Sequence, residues 1–327
     1  MQNLDMKKTT KKILGCVSII LLILLSVISF WGYHLYRYQF PEITFNPSDN
    51  DTLACFRLSG YCNVDITIKG ERGALFFSAS LDTGDNASCL ELESRVWDWL
   101  LERNPGYEQR WLPAFPKIDA LGGMAMISGS FRQSYYIGKI YTKNNKHQVD
   151  YNEINGVHMI KSNSDNNIIG MTLLYDQIVE FAKKDSVLRF FKSVPSDYRR
   201  KINLSTDAQN GVPLRRLAMP IEVNGQTNLY FIDTGLQYSL HLPISDSRHY
   251  KPNELKEETL EVQSGKTIQS NIYLWKNDAF VNVEGKQIKT VLTFSDNHNT
   301  KYSVNPYLLF DESFIIDFKN NQMWFKE

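Results

Sequence analysis

A chain of 327 residues with 36 basic and 36 acidic side chains has no net charge, so nothing points to nucleic acid or to a strongly charged substrate. Hydrophobic residues make up 43% and aromatic residues 13%, which excludes a disordered polymer and fits a globular protein. Roughly 290 residues remain beyond an apolar N-terminal segment, enough for two bodies of ordinary domain size.

The first predicted element is a helix. Residues 13–33 are apolar or small and uncharged, long enough to cross a bilayer, with Trp31 and Tyr33 at the outer end as interfacial anchors. We bound the span at 13–36, with one helix as the partner of the lipid bilayer. Lys7, Lys8, Lys11 and Lys12 precede it in a tail of residues 1–12, and only His34 and Arg37 follow closely. The positive-inside rule therefore puts the N-terminus in the cytoplasm and the rest outside it, periplasmic or extracellular, as a single-pass protein of the cell membrane. A cleaved signal peptide is the competing reading; the long apolar core and the lack of a small-x-small site oppose it. Cys16 precedes the apolar run where a lipobox would need to follow it, and reads as a small residue of the helix. Residues 37–59 form a tether, with polar, turn-forming residues at 41–51.

Cys55 and Cys62 either close a short loop ahead of the next strands or stand as two free thiols, and both readings stay open. Val64, Ile66 and Ile68 alternate with polar residues ahead of a glycine turn at Lys69 and Gly70. A second strand over 74–81 then ends in Asp82-Thr83-Gly84. Cys89 reads as a small core residue. Residues 94–102 predict a helix, Val96, Trp97, Leu100 and Leu101 recurring at helical spacing after a polar start. A glycine-rich alternating stretch at 121–131, with Gly122, Gly123 and Met124 at its head, predicts a hairpin. An apolar Ile168-Ile169-Gly170 element follows, and then a hairpin of 178–181 with 187–190. Polar, turn-rich residues 193–211 mark a boundary.

The second half repeats this plan. Residues 219–223 precede an Asn224-Gly225 hairpin signal, and Leu229, Tyr230, Phe231 and Ile232 lead into Asp233-Thr234-Gly235. Each tripeptide is followed by three residues and a serine, Ser88 and Ser239. Setting Leu173-Leu174 on Leu308-Leu309 aligns the downstream blocks without gaps, and a second hairpin of 314–318 with 323–325 closes the chain. An internal duplication of about 130 to 150 residues is the simplest account.

On these residues the chain, from about position 60 to 327, resembles aspartic proteases of the pepsin and retropepsin type. The resemblance implies a mainly β, bilobal acid-protease fold: two similar six-stranded barrel lobes, residues 60–195 and 196–327, with a cleft between. It also implies Asp82 and Asp233 as the catalytic pair, a polypeptide substrate and a flap, for which Gly122, Gly123 and Met124 are the candidates. No residue is singled out as a flap tyrosine, although Tyr135 and Tyr136 are nearby. One chain carries both halves, so the catalytic unit is a monomer and a homodimer is disfavoured.

The chemistry follows from placing two carboxylates side by side. Such a pair holds one proton over a broad pH range, and one member then acts as base on a water while the other acts as acid on the peptide carbonyl. No cofactor is needed, and no histidine or cysteine group has metal-ligand spacing. His241, close to the second motif, reads as a surface or cleft residue. Gly84 and Gly235 are expected where the backbone turns sharply under the carboxylates, and Thr83 and Thr234 where hydroxyls can bond across to the opposite loop. Three positions depart from the family pattern: Asp85 and Leu236 follow the tripeptides where small or hydroxylated residues are usual, and Asn305 stands where the first half has Gly170. Asn tolerates unusual backbone angles, so the turn can survive. The alternative is a catalytically silent protein of the same fold that binds peptides or a membrane partner.

Overall fold

The structure, a computed structural model, describes residues 2–46, 52–60, 62–71, 73–84, 89–103, 106–113, 117–121, 124–128, 132–143, 151–162, 165–207, 216–264, 267–295 and 302–326. It is mainly β, and chain contacts group it into two units: Met1–Phe40 with Gln109–Tyr135, and Pro41–Glu108 with Tyr136–Glu327.

In the first unit one helix runs over Gln2–Gln39, so the four lysines expected in a separate tail belong to the same helix as the apolar run. Its stretch Val17–Tyr38 has a mean hydropathy of 2.0. At 1.5 Å per residue that stretch is about 33 Å long, enough to cross a membrane. Side chains such as Leu22 and Ile28 are more than half exposed along it. Aromatic contacts gather at its C-terminal end, where the His34 ring stacks on Trp111 at 4.8 Å and Tyr38 meets Tyr135 edge-on at 5.0 Å. The same unit holds an antiparallel hairpin of Lys117–Leu121 with Met124–Ser128. The hairpin expected over 121–131 thus begins four residues earlier. Gly122 and Gly123 lie outside the described residues.

In the second unit two closed circuits of six strands share one order. The first runs Asn63–Gly70, Gly73–Asp82, Ile168–Gly170, Leu90–Leu92, Tyr151–Lys161 and Arg132–Lys143, and closes on itself through Thr67 and Tyr141. The second runs Arg216–Val223, Gln226–Ile232, Ser303–Val304, Leu240–Pro243, Lys286–Ser295 and Thr267–Val283, and closes through Glu222 with Asn282 and Val223 with Val281. Alternation fills both interiors: Val64, Ile66, Ile68 and Leu81 are buried in one, and Met219, Ile221, Tyr230 and Ile232 in the other. Each such side chain contributes about 1.5–3 kcal/mol of burial.

An antiparallel ribbon, continuous with the first circuit where Leu58 and Ser59 pair with Val64 and Asn63, joins the halves in the order Tyr198–Asn203, Gln322–Lys326, Phe314–Asp317, Ile178–Ala182, Val187–Phe191 and Thr52–Ser59. Each half supplies one of the predicted closing hairpins, and Phe181 stacks on Phe314 at 4.8 Å where they meet. The residues expected as a linker at 193–211 therefore include a paired strand, Tyr198–Asn203, held against the end of the chain. The expected tether is similar: Thr44–Asn46 pairs with Tyr151–Lys161, and Thr52–Ser59 belongs to the shared sheet.

Local signals behave unevenly. Asn224 and Gly225 have φ of 52° and 78°, the pair of left-handed residues a tight hairpin needs. In the first half the turn falls later than expected, because Gly70 is still in the strand and pairs with Gly73. The helix spans Ser94–Arg103 with Val96, Trp97 and Leu100 buried, but Leu101, expected on the same face, is 46% exposed. Cys55, Cys62 and Cys89 are free and buried, which settles the open cysteine readings in favour of thiols.

Candidate functional site

Each Asp-Thr-Gly loop leaves the end of a strand that runs parallel to a short return strand. In the first half Ile168, Ile169 and Gly170 lie beside Ser80, Leu81 and Asp82; in the second, Ser303 and Val304 lie beside Phe231 and Ile232. The Ser80 amide donates to the Asn167 carbonyl at 2.9 Å, and the Phe231 amide to the Tyr302 carbonyl at 3.0 Å. These matched bonds make Asn305 the structural equivalent of Gly170, as the block alignment has it. The far ends of the loops are also fastened alike, with Gly170 N–H on the Cys89 carbonyl at 3.1 Å and Asn305 N–H on the Ser239 carbonyl at 2.9 Å. Cys89, not Ser88, therefore matches Ser239: the first loop is one residue longer, and the paired serines of the sequence are out of structural register. Ser88 and Asp85 lie outside the described residues.

Four hydrogen bonds tie the two loops together. The Thr83 hydroxyl donates to the Ile232 carbonyl at 3.0 Å and accepts from the Thr234 amide at 3.0 Å. Reciprocally, the Thr234 hydroxyl donates to the Leu81 carbonyl at 2.6 Å and accepts from the Thr83 amide at 3.2 Å. Both threonines are buried, so every one of these groups would cost about 1–3 kcal/mol if left unpaired. The lattice fixes the strand ends, and with them the two carboxylates.

Asp82 accepts from the Gly84 amide at 2.8 Å and Asp233 from the Gly235 amide at 3.0 Å. The two carboxyl groups are near enough for Asp82 to act on Asp233. A Cβ placed on Gly84 would lie 2.7 Å from the Asp233 carboxyl carbon, and one on Gly235 would lie 2.6 Å from that of Asp82. Neither glycine has a positive φ. The expected reason for glycine, a sharp turn, is therefore replaced by another: each loop's glycine is the floor on which the opposite carboxylate rests. Burial first, and then the neighbouring Asp82, hold the Asp233 carboxyl well above the ordinary carboxylate range. The Gly235 amide and the Arg216 charge oppose that rise.

Arg216 is a feature the sequence did not announce. Its guanidinium donates to the Gly84 carbonyl at 3.2 Å, so the second half reaches over to the first half's loop. Tyr238, whose phenol is driven upward chiefly by burial and also by the Tyr273 and Asp233 charges, stands edge-on to Trp275 at 5.6 Å. An arginine at the start of a strand and a tyrosine in a loop carry no motif, so only their contacts identify them.

Asn305 does more than tolerate a turn. Its φ is −97°, an ordinary extended value, so left-handed freedom is not what the position requires. Its side-chain amide donates to the Thr234 carbonyl at 3.1 Å and the Leu236 carbonyl at 2.8 Å, and its oxygen caps the helix Pro306–Leu309 by accepting from Tyr307. The second loop is thereby braced from below at Leu236, one of the positions that depart from the family pattern. His241, expected at the surface or in a cleft, is buried in the strand Leu240–Pro243 with Nε2 2.6 Å from the Ser295 hydroxyl. Tyr136 packs on Trp97 at 5.3 Å. Met124 opens the second strand of the 117–128 hairpin. The chain matches no family model and no characterised protein.

Proposed function

We propose that the chain is a membrane-tethered aspartic endopeptidase of bilobal acid-protease fold, with Asp82 and Asp233 activating one water. The observation that carries this reading is the reciprocal seating of each carboxylate on the other loop's glycine, locked by the threonine lattice. A pair held this way titrates as a unit, and the raised Asp233 carboxyl favours the singly protonated form. The ionised member takes a proton from the water as its oxygen attacks the peptide carbonyl carbon, and the protonated member donates to the carbonyl oxygen. Collapse breaks the C–N bond, a proton passes to the leaving amine, and the products are a carboxylate and an amine. On this reading the two strand circuits are the lobes, both within one chain.

The test is digestion of a peptide library by the full chain in lipid nanodiscs across a range of pH, with and without an inhibitor that mimics the tetrahedral intermediate. Cleavage that the inhibitor abolishes is the expected result. Peptide binding without cleavage at any pH would instead establish the silent binding protein.

For topology, the lysines ahead of the span orient the N-terminus to the cytoplasm and the catalytic unit to the outside. A reporter fused after Glu327 should be active only outside the cytoplasm, and a cytoplasmic signal would refute this placement.

A further inference from the structure

The second tripeptide brings no cation of its own to the carboxylate pair; the strand before it does. In the second circuit Arg216–Val223 runs antiparallel to Gln226–Ile232, with Ala218 opposite Phe231. The same register carried two residues further sets Arg216 level with Asp233. On its other edge this strand is paired with Ser205–Asp207, where Asp207 stands opposite Arg216 in the ladder. The backbone of Arg216 is therefore fixed at the end of the strand pair that delivers Asp233. In the first half the equivalent register, with Asn63 opposite Ser80, sets Tyr61 level with Asp82. Tyr61 lies outside the described residues, but its identity makes the arginine a feature of one half alone.

From this place the guanidinium reaches the other half. Its Nη2 donates to the Gly84 carbonyl at 3.2 Å, and Gly84 is the residue that faces the Asp233 carboxyl, a Cβ there falling 2.7 Å from its carbon. The Arg216 charge also acts on Asp233 directly, against the rise that burial and Asp82 cause. One side chain holds both the floor and the group that rests on it. The other titratable groups about the pair are Asp82 across it and the Tyr238 phenol, which burial, Tyr273 and the Asp233 charge drive upward. Neither brings a positive charge. Asp85, next in the chain after Gly84, lies outside the described residues.

Resting on the endopeptidase reading, we propose that Arg216 is a positioning residue for the carboxylate pair: it pins the Gly84 peptide on which Asp233 rests, and its charge holds the pair in the singly ionised state that the reaction uses. A pair in a buried site resists ionisation, because its one negative charge has lost water and faces a second carboxyl. A guanidinium beside it restores part of what water gave. It stays charged at every working pH and offers a planar fork to the carbonyl, which a lysine ammonium lacks. Arg216 is exposed, so salt screens its charge while the hydrogen bond keeps its geometry.

The experiment uses the full chain in lipid nanodiscs and one peptide that the library digestion shows to be cut, with Arg216→Gln and Arg216→Lys beside the parent. Removing the cation raises the proton affinity of the pair at both steps, so in Arg216→Gln both limbs of the pH–rate profile should move to higher pH by about 0.5 to 1 unit. Asp85 is present in every variant, so its contribution cancels. Arg216→Lys keeps the charge and loses the fork: its limbs should stay near those of the parent while its maximal rate falls about threefold or more. Raising the ionic strength should move the parent's limbs toward those of Arg216→Gln and leave that variant in place.

Thermal melts read the same charge without substrate. The folded Asp233 carboxyl lies above its ordinary value, so stability falls as pH rises through that window, and Arg216→Gln should carry the fall to higher pH. Limbs and melting window that stay in place in Arg216→Gln would overturn the proposal whatever the rate, because a merely structural arginine acts alike at every pH. A full parental rate in Arg216→Lys would overturn the pinning of the Gly84 peptide. A parent that cuts no peptide would overturn the endopeptidase reading, and the melts alone would then decide the role of Arg216.

Discussion

Asp233→Asn should abolish hydrolysis and at the same time make the protein more stable at neutral and alkaline pH. On the proposed endopeptidase mechanism, loss of the exchangeable proton removes one half of the acid–base pair, so the rate should fall by at least about 10³-fold. Asp82→Asn should do the same, and the double variant should be scarcely worse, because the two act as one unit. The stability effect follows from linkage. The folded state holds the Asp233 carboxyl above its ordinary value, chiefly by burial and then by the neighbouring Asp82. The native protein therefore binds more protons than the unfolded chain between the two values, and its stability falls as pH rises from the ordinary carboxylate pKa of about 3.9 through the raised one. Each unit of the upward shift corresponds to about 1.4 kcal/mol lost above that window. Asparagine has no proton to lose and escapes this cost. Thermal melts of parent and variant should coincide at low pH and separate above the window, the variant melting higher by a few degrees or more, at about 2–4 °C per kcal/mol. Identical melts at every pH would mean that Asp233 is solvated and unshifted, and full hydrolysis by either single variant would end the paired-carboxylate mechanism.

What could be read from residue order alone was whatever depends on neighbours in the chain. The strand, tripeptide, return strand and hairpin recur as local patterns, and the alignment of Gly170 with Asn305 follows from spacing and reappears in the ladder bonds. Contacts between distant positions were silent. Arg216 reaches Gly84 and Asn305 braces Leu236 across separations that no periodicity records. The match of Cys89 with Ser239 was hidden because serine spacing counts residues from the tripeptide, whereas the return strand measures loops from their far end. Leu101 and His241 show the same limit in burial: which face of a helix or strand is covered depends on what the rest of the chain lays against it. The three-residue strand Thr44–Asn46 is too short and too polar to stand out from a linker, and its pairing with Tyr151–Lys161 alone makes it structure.

Two glycine substitutions separate the space a position provides from the backbone angle it permits. Gly235→Ala would place a Cβ 2.6 Å from the Asp82 carboxyl carbon and within 2.9 Å of both its oxygens; Gly84→Ala would do the same to Asp233 from 2.7 Å. Contacts under 3 Å are not tolerated, so the carboxylate must swing away or the loop must shift. Because the threonine lattice holds the loop on both sides, the side chain is what moves. Neither glycine uses a positive φ, so alanine adds no backbone strain and the fold should persist. A carboxylate displaced by about 1 Å loses its shared proton and its aim at the water, which should lower the rate by about 10²-fold or more. Gly225→Ala provides the opposite case. A Cβ there meets nothing within 4 Å, but φ is 78°, so the variant should lose about 1 kcal/mol of stability and keep its rate. Rate constants and melting temperatures for the three variants should therefore fall into two groups: Gly84→Ala and Gly235→Ala slow but stable, Gly225→Ala active but less stable. Unimpaired hydrolysis by Gly84→Ala and Gly235→Ala would show that the carboxylates do not rest on the opposite loops, and the paired arrangement would have to be abandoned.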